Sequence, residues 1–351
     1  MTVSVVIPQP DDWHVHLRDD DMLAAVVAYS ATRYRYAMVM PNLRPPITSL
    51  AQATAYQQRI LACLPDEPSP FKPLMTLFAS AAIDLGELRE GVGQGMIKAV
   101  KFYPVGATTN SDQATGGLAD FGSLYDVLAE LGIRLLVHAE STRADVDVFD
   151  REAQFIEDEL APLCESRPEL LVTLEHVSTK AGVEFVQANE QVSATVTPHH
   201  LARDRGDLLA DGLKPDLYCK PIINAPGDRL ALVSAVTANQ TSFVLGTDSA
   251  PHPTTAKYGP KAAAGVFNAP YGLEAVAEVF HQASALDRLG AFVSANGCAL
   301  YDVAPPTSRV QLTRRDTPIE VTEHLVTKAG HEVVFFGIEE AAQWSVEAVV
   351  E

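Results

Sequence analysis

Short apolar runs rich in β-branched residues recur along the chain, each followed by a polar loop and then by a stretch whose apolar residues return every three or four positions. The runs are the opening VSVVI and WHVHL, then YAMVMPN, PLMTLFAS, IKAVKFYP, IRLLVHAE, LLVTLEHVS, VSATVTPHH and TSFVLGTDSAPH. Taking the first two as one opening strand gives eight strands. Helical stretches such as MLAAVVAYSATR, SLAQATAYQQRILACL, GSLYDVLAELG and GDRLALVSAVTANQ fall between them. Parallel neighbours need crossovers of this kind, so eight units predict a closed (β/α)8 (TIM) barrel of α/β class. All of 1–351 is expected to form a single domain, since such barrels commonly reach about 250 residues or more. From about residue 304 the pattern changes to RVQLTRR, IEVTEHLV and EVVFFG, which predict short extra strands packed outside the barrel.

The chemistry of such a barrel sits at the C-terminal ends of its strands. There the chain places Asn42, Lys101, His138, His176, His199, His200 and Asp248. Near the start, DDWHVHLRD adds His14, His16 and Arg18, which would share one face of an extended strand because side chains alternate with a period of two. Imidazole and carboxylate are zinc ligands. Four histidines (His14, His16, His138 and His176) and Asp248 exceed one tetrahedral shell, so two ions are expected, provided something bridges them. Lys101 is the candidate bridge: its amine can react with carbon dioxide to give a carbamate, an anionic ligand with two oxygens. A Schiff-base lysine, as in an aldolase, is the competing reading of the same residue and needs no metal. Lys98, three positions earlier, falls on the opposite strand face and reads as a solvated lysine. A hydroxide held between two ions is a nucleophile at neutral pH, and Asp248 would pass its proton to the leaving nitrogen as general base and then general acid. That is the chemistry of cyclic amide hydrolysis or its reversal. His281, His324 and His331 have no such placement and read as surface or structural.

Composition narrows the partners. A net charge of −19 argues against nucleic acid and anionic membrane, which need a basic face, while leaving a small anionic substrate possible in a locally cationic pocket. No run of about 18 apolar residues could span a membrane. The start, MTVSVVIPQPDDW, lacks the basic segment and apolar run of a signal peptide, so a cytoplasmic protein is expected. Cys63, Cys164, Cys219 and Cys298 are scattered without metal or disulfide spacing and read as reduced thiols, mostly buried.

With these residues laid out, the chain resembles the dihydroorotases of the shorter monofunctional kind, within the amidohydrolase superfamily. The resemblance rests on DDWHVHLRD, VMPNLRPP, KFYP with GATTNS, LLVHAE, EHVSTKAG, YCKPI, GTDSAPH and AGVFNAP, in that order over nearly the whole chain. It implies reversible closure of N-carbamoyl-L-aspartate to L-dihydroorotate in pyrimidine (UMP) synthesis, on two zinc ions per subunit, with a homodimer expected. By motif, His14 and His16 with Asp248 would bind one zinc and His138 and His176 the other, with Lys101 between them as N6-carboxylysine. Asp248 would also shuttle the proton. Arg18, Asn42 and His252 match positions that hold the substrate α-carboxylate. Main-chain groups at Lys220 and Ala264, with His138, match other substrate positions, and Thr108 and Thr109 match a mobile loop. Lys220 departs from the pattern, being leucine in one version of the family. There, Arg44 and Lys220 would add positive charge or lie solvated. His199 and His200 fit TPxHL, a non-ligand motif with structural roles. Rival readings are another cyclic amidohydrolase, such as a hydantoinase or allantoinase, and a catalytically inert paralogue serving as a scaffold.

Overall fold

The computed structural model describes residues 3–64, 70–114, 116–238 and 240–349. The chain enters through β1 (Ser4–Pro8) and then runs through eight parallel strands that neighbour one another in sequence order. These are β2 (Asp12–Val15), β3 (Tyr36–Val39), β4 (Lys72–Phe78), β5 (Ile97–Phe102), β6 (Arg134–Val137), β7 (Val172–Leu174), β8 (Val192–Val196) and β9 (Phe243–Leu245). The last returns to the first: Asp248 N donates to His14 O at 2.8 Å and His16 N to Ser249 O at 3.0 Å, with Val15 and Ser249 paired in parallel. The predicted barrel is present.

Alternation along each strand sorts its side chains between two cores. Outward residues such as Val39, Val100, Leu135, Val137, Leu174 and Leu245 pack with Leu23, Val27, Ile60 and Phe280 of the surrounding helices in the main apolar cluster. Inward, Met38, Leu74, Ala99, Leu136 and Val244 join Trp13 and Tyr301. The Trp13 and Tyr301 rings stack with centroids 4.4 Å apart, an arrangement worth about 0.5–1.5 kcal/mol beyond buried area. Gly297 lies so close beneath that a Cβ there would fall 1.8 Å from the Trp13 indole nitrogen, so only glycine fits. This plug fills the end where the strands begin and leaves polar residues for the other end.

Each crossover helix is started locally and then fastened by its apolar stripe. The helix Leu50–Ala62 begins at Ser49, whose side chain accepts from Gln52 N while the Gln52 side chain accepts from Ser49 N. It buries Ala53, Tyr56 and Ile60 on one face. From that face the Tyr56 hydroxyl donates to Arg18 O at 2.5 Å, which ties helix packing to the loop after β2.

The opening strand differs from expectation. VSVVI and WHVHL form two strands, because Pro8 and Pro10 lack the N–H needed to carry one ladder through. β1 leaves the barrel and pairs antiparallel with β10 (Arg309–Arg314), Ser4 opposite Thr313. The anticipated extra strands are β10 and the hairpin of β11 (His324–Val326) and β12 (Glu332–Val334). A fourth, β13 (Trp344–Ala348), escaped the pattern reading because only Trp344 of its residues is buried; it completes the sheet β1-β10-β13.

Candidate active site

His14 is an inward residue of β2 and fully buried. His16 and Arg18 lie beyond the strand, which ends at Val15, so the shared strand face expected for all three does not exist. Arg18 adopts φ 60°, a left-handed conformation unusual for a side chain of its size. The turn, held by the Ser249 and Tyr56 hydrogen bonds, brings the three groups together instead. His14 Nε2 lies 3.3 Å from His16 Nε2 and 3.3 Å from Asp248 Oδ1, and His16 Nε2 lies 3.1 Å from the same oxygen. Two ligand atoms each about 2.0–2.1 Å from one tetrahedral ion stand roughly 3.3–3.4 Å apart, so this triangle has the edges of a zinc ligand face. The donor set therefore fits the metal.

Opposite it, His138 Nδ1 stands 2.9 Å from His176 Nε2. The other His138 nitrogen, Nε2, is 2.7 Å from Glu140 Oε2, which accepts its N–H and so leaves the lone pair on Nδ1. Lys101 is inward on β5 and fully buried, its Nζ 3.5 Å from Glu175 Oε2. The same Glu175 oxygen makes a close contact with His14 Nδ1. Lys98 is half-buried on the other face, as the alternation implied. His176 and Asp248 both sit at positive φ, 42° and 45°, so two of the converging residues carry backbone strain at the ends of their strands.

Burial governs the charges. It pushes His16 down to about 4, and lowers His138 and His176, leaving these imidazoles neutral and able to coordinate. Burial would raise Asp248, but hydrogen bonds from His14 and His16 outweigh it and hold the carboxyl well below the usual range. Lys101 falls to about 8 through burial, against the pull of Glu175 and Asp248.

Around these groups closes a narrow pocket whose walls include Arg18, Asn42, Thr108, Thr109, His138, Lys220 and Ala264. Arg18 Nε donates to Pro251 O at 3.1 Å, and its Nη2 lies 2.9 Å from His252 Nε2, which also faces Ala264 O at 3.0 Å. Asn42 links His16 Nδ1, at 2.9 Å, to Thr109 O, at 3.0 Å. The loop 105–112 lies over the opening: Lys220 Nζ donates to Ala107 O at 2.5 Å, Thr109 Oγ1 to Ala264 O at 3.5 Å, and Arg44 to Asn110 and Asp112. The Lys220 and Arg44 side chains thus serve the loop through its own acceptors.

His199, His200 and Cys219 form a second buried cluster with metal-ligand atoms close together. Its hydrogen bonds argue against a metal. Asn268 Nδ2 donates to His199 Nδ1, which puts the His199 proton on Nε2, and the His200 nitrogens meet Thr197 Oγ1 and Pro221 O. His281 packs edge-on against Trp344, and His324 and His331 are exposed. Sequence reasoning missed Glu140 and Glu175. The signal for Glu140 was its i+2 spacing from His138 in HAE, and for Glu175 its i+2 spacing from the inward Thr173.

Residues 5–305 match the amidohydrolase family. A dihydroorotase of Synechococcus sp. (strain CC9605) is 44% identical over 347 residues, covering 99% of this chain and 97% of that protein. The crystal structure of a Campylobacter jejuni dihydroorotase superposes with a TM-score of 0.87 at 33% identity, covering 99% of this chain and 98% of that one. That of a Saccharomyces cerevisiae dihydroorotase in complex with 5-fluoroorotic acid gives 0.88 at 27% identity, with 98% of each chain covered. With likeness of this extent laid over a barrel whose strand ends gather His14, His16, Lys101, His138, His176 and Asp248, the chain belongs to the dihydroorotases of the amidohydrolase family.

Proposed function

We propose that the protein closes N-carbamoyl-L-aspartate to L-dihydroorotate, reversibly and with loss of water, in pyrimidine synthesis, acting on this small molecule as a cytoplasmic homodimer. His14, His16 and Asp248 would hold one zinc ion and His138 and His176 a second, with Lys101, once carboxylated, as a ligand common to both. Bound zinc supplies water activation near neutral pH and polarises the amide carbonyl. Lys101, lowered to about 8, has a neutral amine fraction that can attack carbon dioxide, forming an N–C bond and releasing one proton. Asp248 Oδ1 faces the histidines, and its other oxygen takes the proton of the attacking water and returns it to the ring nitrogen in the hydrolytic direction.

The observation that carries the substrate assignment is the guanidinium of Arg18, braced by Pro251 O and His252 on the wall that faces the ligand cluster. A fixed fork there suits a carboxylate, which hydantoin lacks. Asn42 and His252 complete the anion site, while main-chain groups at Lys220 and Ala264, with His138, meet the ring. Absorbance assays of ring opening provide the test. Zinc-loaded protein should open dihydroorotate and leave hydantoin, lose activity to a strong chelator and regain it with zinc. Equal turnover of hydantoin would make this a hydantoinase-like enzyme, and full turnover by metal-stripped protein would end the mechanism.

A further inference from the structure

We infer that Glu175 is the positioning residue on which both halves of the metal site rest, holding His14 and the side chain of Lys101 at once. The inference builds on the reading of those two residues as ligands. Glu175 continues β7 by one step, Glu175 N donating to Val137 O at 3.0 Å, and so faces inward two residues beyond Thr173. It is fully buried. Its Oε2 meets His14 Nδ1 and lies 3.5 Å from Lys101 Nζ, while Oε1 has no hydrogen-bond partner among the described residues.

The chemistry explains the placement. His14 offers Nε2 to the triangle with His16 and Asp248, so its proton must sit on Nδ1. A carboxylate at Nδ1 fixes that tautomer, orients the ring and makes Nε2 a stronger ligand. A carboxylated lysine keeps one N–H on Nζ, and in this dry interior that donor also needs an acceptor. Glu175 Oε2 faces both donors, and its charge strengthens both contacts. Conversely, a lone buried carboxylate would be costly, so its presence here answers to the groups it accepts from.

The Glu175→Gln variant tests this, because the amide keeps the size but removes the negative charge and replaces one acceptor oxygen with a donor, so both N–H groups must share one weaker, neutral acceptor. Zinc retained against graded chelator is measured by elemental analysis, and lysine carboxylation by NMR of protein equilibrated with ¹³C-bicarbonate. The variant should release zinc at about 10–100-fold lower chelator strength and show a weakened carbamate signal, since outer partners of metal ligands carry effects of this size. Glu175→Asp, charged but shorter, should fall between the two, and it carries the test alone should the Gln variant not fold. Zinc retention and carbamate signal equal to wild type in the folded variant would overturn the role of Glu175 and leave the metal reading standing. Wild-type protein that takes up neither zinc nor carbon dioxide would overturn both.

Discussion

Arg18 is braced from behind by Pro251 O and His252, and its strained φ of 60° is maintained by the same turn, so the guanidinium is fixed before any substrate arrives. Replacing it separates anion binding from metal binding. On the proposed reading, Arg18→Met should keep its metal content yet cost about 3–5 kcal/mol in kcat/KM, the scale for breaking a buried charged pair. Arg18→Lys should recover only part, because a point charge cannot reproduce a two-pronged contact. Loss of zinc in the Met variant, measured alongside the kinetics, would show that Arg18 supports the ligands instead. At this scale the sequence was legible where residue type is specific: histidines, a lysine and an aspartate at strand ends have few other reasons to gather. Glu140 and Glu175 were not, because a carboxylate beside a histidine is ordinary on a protein surface. Only the fold reveals that these two are buried. Arg18 lines the pocket beside His16 and Asp248, but strand alternation, which stops at Val15, is not what brings it there.

Among the elements, the loop 105–112 is pinned from several directions: by Asn42 and Lys220 on its inner side, by Arg44 on its outer side, and by its own Ser111, whose hydroxyl meets both Thr108 N and Thr108 O. It is held mainly by hydrogen bonds from polar side chains, which suits a segment that must open and close. Replacing Thr108 by Ala together with Thr109 by Val should lower turnover by about tenfold or more with zinc content intact, as for a lid that completes the site. Unchanged turnover would make the loop a bystander. The small polar composition of GATTNSD disclosed a loop, but the Lys220 contact to it joins positions far apart in sequence and no local pattern could announce it. Strands were legible because a buried parallel strand is a dense apolar run. The break at Pro8 and Pro10 is written in the sequence too, as two residues without the N–H that a continuous ladder needs.

At the level of the whole molecule, the buried histidines make stability depend on pH. His200 is held at about 4 and His252 at about 2, both chiefly by burial, whereas an unfolded imidazole titrates near 6.5. Below 6.5 the unfolded chain gains protons that the native one refuses, so stability is lost as pH falls towards 4. Glu152 works in the opposite direction: burial raises it to about 7, so the native state takes its proton first and gains stability as pH falls from there towards 4.5. Urea titrations of metal-free protein should therefore show stability declining from pH 6.5 to 4.5, and Glu152→Gln should steepen the decline. A flat profile, or a shallower one in the variant, would contradict this balance.

The pairing of β1 with β10 bears on how the chain is made. Ser4 leaves the ribosome long before its partner Thr313, which emerges only after every strand of the barrel. Until then VSVVI is an open sheet edge, of the kind that recruits chaperones or aggregates. A product cut short before Arg309 would contain all of β2 to β9 and still display that edge, so β10 acts as a seal on finished chains.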